Sequence, residues 1–153
     1  MDQADKEVYE LMYLSPEKHV YLRLVTTPAV ARIIGFQVYP IAVPNTNAEM
    51  PFLVYRRASI VRDHATAGPL FVPMVNLQIA AWARSYGAVR ELAEEVRLCL
   101  DGNIGTLAGV TIDDIRLTSE VDDFLDPTVS GSQLPPAYEV RQLYQIRWHE
   151  ASE

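Results

Sequence analysis

Three histidines, three closely spaced aspartates, three arginines and one cysteine are the side chains of this sequence best able to do chemistry. His19, His64 and His149 lie far apart, and none has a serine or cysteine at a recognisable nucleophile spacing, so each reads as a surface histidine. Asp122, Asp123 and Asp126 form the strongest candidate, because a hard cation wants several carboxylate oxygens brought together. A calcium loop would add ligands at alternate positions, a central glycine and a closing glutamate, which this stretch does not supply. An acidic solvated loop is the simpler reading. Arg56, Arg57 and Arg62 are the main basic concentration. Arg56 and Arg57 would point to opposite faces of a strand, so salt bridges explain them better than one anion-binding patch does. Cys99 falls on an apolar helical stripe and reads as a small core residue.

The elements that position these groups are organised around residues 71–102. Val75, Leu77, Ile79 and Ala81 alternate with Asn76 and Gln78, which predicts a half-buried strand. Ser85 can then cap a helix whose stripe is Val89, Leu92, Ala93, Val96, Cys99 and Leu100, with Asp101-Gly102 closing it. Upstream, Ser15-Pro16-Glu17 and Thr27-Pro28 are two helix starts, and Gly35 is a stop, so two short helices or one helix bent at Pro28 are expected. Pro40 and Pro44 make residues 38–44 an extended segment at a sheet edge. Residues 51–61 read as a strand, and Gly68-Pro69 as a turn that brings the chain back antiparallel.

Beyond the long helix, the glycines at 102, 105 and 109 give loop character, without the lysine of a phosphate-binding loop. A strand from Val110 to Val121 is expected to place Ile115, Leu117 and Val121 on one face. Residues 122–136, rich in aspartate and proline, read as a long loop. The last strand alternates Tyr138, Val140, Tyr144, Ile146 and Trp148 with Glu139, Arg141, Gln145, Arg147 and His149. The class is α+β: an antiparallel sheet of about four main strands, one long helix packed on one face, and short N-terminal helices.

Composition bounds the function. The chain has 153 residues, 49% of them apolar, enough for one core; residues 1–14 read as an extension and 15–150 as a single domain. Thirteen basic against 20 acidic side chains leave a net charge of −7, which argues against a protein whose work is to grip phosphate backbones. No apolar run approaches the roughly 18 residues that span a bilayer, and Asp2, Asp5 and Glu7 stand where a secretion signal would be basic, so the reading is a cytosolic chain with no membrane. Surplus loop without a visible active site suits a binding or assembly protein better than an enzyme.

The segments VYPIAVP, PFLVYRRAS, NLQIAAWARSY running into RELAEEVRLCLDG, a strand ending in Asp122-Asp123, and the terminal YQIRWHE together resemble the tail-completion family of long-tailed bacteriophages, whose architecture is similar to that of tail terminators. The resemblance covers residues 15–150 in order of elements. It implies a structural subunit of a ring, with six copies expected, that ends growth of the tail tube, joins it to the head connector and lets DNA pass without sequence-specific binding. It implies no catalytic residues, cofactor or metal, and a place in the virion tail after assembly in the bacterial cytoplasm. Leu98, opposite the apolar stripe, and Asp122, Asp123, Phe124 and Asp126 are the candidate contacts to a neighbouring subunit or the connector. Two other classes stay open at this point: a metal-dependent enzyme using the aspartate loop, and a host adaptor that binds a protein through its sheet edge.

Overall fold

A computed structural model describes residues 15–41, 49–62, 64–65, 68–69, 73–126 and 136–150. The proposed extension at residues 1–14 lies outside them. Helix α1 (Pro16–Thr26) starts where the Ser15 hydroxyl accepts a bond from the Lys18 amide, and proline occupies its first turn. Helix α2 (Pro28–Ile34) follows after the single residue Thr27 and ends at Gly35, whose φ of 59° favours glycine. Thus two helices form, as the two proline starts suggested. Helix α3 (Tyr86–Leu100) is capped by the Ser85 hydroxyl, 3.2 Å from the Ala88 amide, and buries all six residues of its stripe.

The strands are β1 (Val38–Pro40), β2 (Phe52–Val61), β3 (His64–Ala65), β4 (Gly68–Pro69), β5 (Met74–Ala83), β6 (Gly105–Leu107), β7 (Val110–Leu125) and β8 (Ala137–Glu150). They form a six-stranded sheet in the order β1-β2-β5-β8-β7-β6 and a separate two-stranded ladder of β3 with β4. The expected sheet of about four antiparallel strands with one helix is therefore corrected on three points. The sheet is mixed, because β1 runs parallel to β2. It is wider, because part of the glycine-rich segment forms β6 and turns back on β7 through Ala108-Gly109. Helix α1 shares the covered face with α3, and α2 packs against both of these helices.

The core lies between that face and the helices. Val75, Leu77, Ile79 and Ala81 of β5 and Val140, Tyr144 and Ile146 of β8 meet Leu92, Val96 and Leu100 of α3 and Val20, Tyr21 and Leu24 of α1, all buried. On β7 the expected common face of Ile115, Leu117 and Val121 does not hold. The register shifts between Leu117 and Ser119, so Leu117 faces the helices beside Tyr144 while Val121 pairs with Arg141 on the open face and is 47% exposed. One inserted residue reverses every later side chain.

His19 also departs from expectation: it is 0% exposed. Its Nδ1 lies 2.9 Å from the Val110 carbonyl, and its Nε2 accepts from the Arg23 Nε at 2.8 Å, so the ring sits neutral with Nδ1 carrying the proton. Burial holds its pKa below the ordinary 6.5; the bond to the Val110 carbonyl opposes this in part, and the Arg23 charge adds a smaller lowering. The folded state therefore binds fewer protons than the unfolded one. The stability that neutral His19 supplies is complete above about pH 6.5 and is lost as pH falls through the lowered folded value. Melting followed from pH 7.5 to pH 5 should show the wild type losing more stability than His19→Gln, whose amide keeps a donor and an acceptor but does not titrate. Parallel curves for the two proteins would contradict this.

Candidate functional site

The sequence placed its candidate contacts in a loop from Asp122, but cross-strand bonding to Ala137–Val140 continues β7 through Leu125. Asp122, Asp123 and Phe124 are strand residues, and Asp126 stands just past the strand end; residues 127–135 of the expected loop lie outside the described residues. Alternation then separates the aspartates. Asp122 pairs with Val140 on the helix-covered side, while Asp123 pairs with Glu139 on the open face.

Each of these two carboxylates already has partners. Asp122 accepts from the Tyr86 hydroxyl at 2.8 Å and from the Arg90 guanidinium at 3.2 Å. Asp123 lies 3.6 Å from the Arg141 guanidinium and accepts from the Phe124 amide at 2.8 Å. A hard cation needs carboxylates that converge, whereas these two diverge on opposite faces and are engaged with arginines. Among the described residues no group of three metal-ligating side chains comes together. Both carboxylates are therefore taken up in bonds within the fold, one on each side of the strand.

A polar network that the sequence reading missed underlies the site. Arg90 on α3 bonds Glu120 as well as Asp122. The Gln142 amide donates to the other oxygen of Glu120 and to the Ala93 carbonyl, both at 2.9 Å. The Tyr144 hydroxyl donates to the Gln142 carbonyl oxygen at 2.8 Å. Burial pushes the Tyr144 hydroxyl's pKa up, so it stays a neutral donor. The network fixes the first two turns of α3 against the far halves of β7 and β8. Its signal in the sequence was a lone glutamine on the buried side of β8, between Val140 and Tyr144.

Over that network lies an exposed aromatic surface. Phe124 and Tyr138 rings are 4.9 Å apart, and Tyr86 meets Tyr138 edge to face at 6.1 Å. Phe124, Leu125 and Tyr86 are each about half exposed, at 49, 53 and 51%. Leu98 is 57% exposed on the outer side of α3, where the helical period placed it. Apolar side chains rimmed by charge are the composition of a protein contact.

The other reactive residues are engaged structurally. Arg57 makes a two-pronged ion pair with Glu17 at 2.6 and 3.0 Å, joining β2 to α1. His149 Nδ1 lies 2.8 Å from Asp113. Cys99 is buried beside the Thr27 hydroxyl, and burial raises its thiol pKa, which favours the protonated form. The side chain of His64 lies outside the described residues.

Residues 18–131 match the family model described as "Tail completion protein gp17". Among solved structures, a chain from "Virion of native gene transfer agent (GTA) particle" is similar with a TM-score of 0.66 at 13% identity, covering 85% of this chain and 91% of that one. At that identity the likeness is one of fold. No curated protein sequence matches the chain.

Proposed function

We propose, from the premise that the chain belongs to the tail completion protein gp17 family, that it forms a ring, of six copies, which ends the tail tube and joins it to the head connector. The observation that carries the reading is the family match across residues 18–131, which takes in the helical layer, the long strands β2 and β5 and all of β7. A structural place in a virion tail, of a phage or a phage-like gene-transfer particle, accords with this and with the fold likeness to a chain of a gene transfer agent virion. Such a role asks for protein contacts and no chemistry.

In this reading Phe124, with Asp122, Asp123 and Asp126 around it, and Leu98 on α3 are contacts to the neighbouring subunit or the connector. The tail tube protein meets the opposite side of the ring. Assembly takes place in the bacterial cytoplasm, and DNA later passes through without sequence-specific binding. The excess of acidic over basic side chains keeps the channel from holding phosphate, since each neutralised phosphate adds a salt-dependent attraction.

The mass of the purified full chain tests the ring. A single symmetric multimer is expected at high protein concentration, and a monomer at every concentration would count against the reading. Leu98→Glu should leave the melting temperature nearly unchanged, because an exposed position away from the core shifts stability by less than about 0.5 kcal/mol. The same variant should assemble less completely than the wild type. Wild-type assembly by Leu98→Glu would remove that residue from the interface.

A further inference from the structure

The sheet has two stretches of strand edge with no described partner. On one side, β6 covers β7 only at Val110–Ile112. The helix terminus then blocks the next part: the Asp101 carboxylate accepts from the Leu117 amide at 3.0 Å, and the Gly102 amide donates to the Ile115 carbonyl at 2.9 Å. From Thr118 to Leu125 the outer edge of β7 meets no described strand. On the other side, β1 covers β2 only at Leu53–Tyr55, followed by the Ile41 amide on the Tyr55 carbonyl at 2.7 Å. From Arg56 to Val61 that edge meets no described strand either.

The two edges carry opposite charge. Along β7 stand Glu120, Asp122 and Asp123, with Glu139 beside them, and the arginines engaged with this group are Arg90 and Arg141. Along β2 stand Arg56, Arg57 and, just past the strand, Arg62, and the acidic partner there among the described residues is Glu17 on Arg57. Carboxylates exceed arginines on one edge, and arginines exceed carboxylates on the other. Apolar residues accompany both: Val121 and Leu125 on the first, 47 and 53% exposed, and Val61 on the second, 45% exposed.

We propose that the Thr118–Asp123 edge of one copy of this chain adds, strand to strand, to the Arg56–Val61 edge of the next, with Asp123 meeting Arg56. The inference rests on the ring reading above and names the surfaces that would build the ring. Strand direction favours it. Each of the pairs β2–β5, β5–β8 and β8–β7 is antiparallel, so β7 and β2 run in opposite directions. A neighbour related by rotation about an axis along the strands therefore presents β2 antiparallel to β7, with the helix layers on the same side. Side-chain parity agrees as well. Asp123 and Arg56 both belong to the open face, since Asp123 pairs with Glu139 and Arg56 with Gln78.

The registers bring Val121 level with Arg141, Ala80 and Val54 across the sheet, so the free edge of β7 lies partly above that of β2. Joining them needs strands inclined to the ring axis, as any closed sheet requires. The contact is heterologous, using two different surfaces, and so generates a closed ring when the rotation closes. It also pairs two strand edges that meet no described strand within one copy.

The mass of the full chain in solution, with two charge reversals and their combination, tests the pairing. Arg56→Glu and Asp123→Arg should each lose the multimer at concentrations where the wild type is fully assembled, with melting of the monomer unchanged. The double variant, which restores opposite charges across the joint, should regain it. Amide exchange at Thr118–Asp123 should be slow in the wild-type multimer and fast in the two single variants. Full assembly by both single variants would overturn the edge pairing while leaving the ring. A wild type that never forms a multimer would overturn the ring reading and the pairing with it.

Discussion

Leu92→Ala is expected to destabilise the protein by about 3–4 kcal/mol, within the range found for leucine truncations in close-packed cores. Leu92 is 0% exposed and sits at the centre of the α3 stripe, between Val89 and Val96 and above the sheet. Truncation removes its transfer free energy and leaves a cavity that cannot collapse. The surroundings are fixed from both sides, by the strands of a sheet below and by α1 and α2 alongside α3. For a chain of this size, each kcal/mol moves the melting temperature by roughly 2–4 °C, so a fall on the order of 10 °C should be seen by thermal unfolding. A loss below about 1 kcal/mol would mean that α3 is not clamped against the sheet as described.

The second large effect is expected at Gln142, which is 2% exposed. Gln142→Leu deletes the amide bonds to Ala93 and Glu120, and removes the oxygen that accepts from the buried Tyr144 hydroxyl. A buried polar group left without its partner costs about 1–3 kcal/mol, and the lost charge-assisted bond to Glu120 adds to it, so a total of roughly 2–4 kcal/mol is expected. Tyr144→Phe separates the two contributions. In the double variant Gln142→Leu with Tyr144→Phe no hydroxyl is stranded, and part of the loss should return, making the pair non-additive by about 1 kcal/mol. Strict additivity in denaturant unfolding would show that the two side chains do not depend on each other.

What the sequence made legible was local. The caps at Ser15 and Ser85, the stop at Gly35 and the six-residue stripe of α3 depend on neighbours within a turn or two of helix, and each formed as the spacing indicated. The alternation of β5 was legible for the same reason. What escaped was non-local. β1 joins β2 in parallel across a connection, and no periodicity encodes which strand an edge segment will choose. The bulge at Thr118 sends Val121 to the open face, because one unpaired residue reverses the parity on which a strand reading depends. His19 looked like a surface histidine because the Val110 carbonyl that holds it lies 91 positions away in sequence.

The surroundings of the candidate contacts were legible in part. Phe124 and Leu98 are exposed, and both are legible as apolar residues among charges. The reading of Asp122 to Leu125 as loop failed because aspartates ordinarily disfavour strand, and here pairing with Ala137–Val140 overrides that preference. The ion pairs of Asp122 and Asp123 with arginines from α3 and β8 offset the mutual repulsion of the carboxylates.

Electron microscopy of particles made in a host that lacks this chain tests the central claim most directly. A tail-completion role predicts DNA-filled heads separate from tails, or tails of uncontrolled length, with normal particles restored by supplying the wild-type chain. Intact, infective tailed particles assembled at the ordinary yield in its absence would contradict the account.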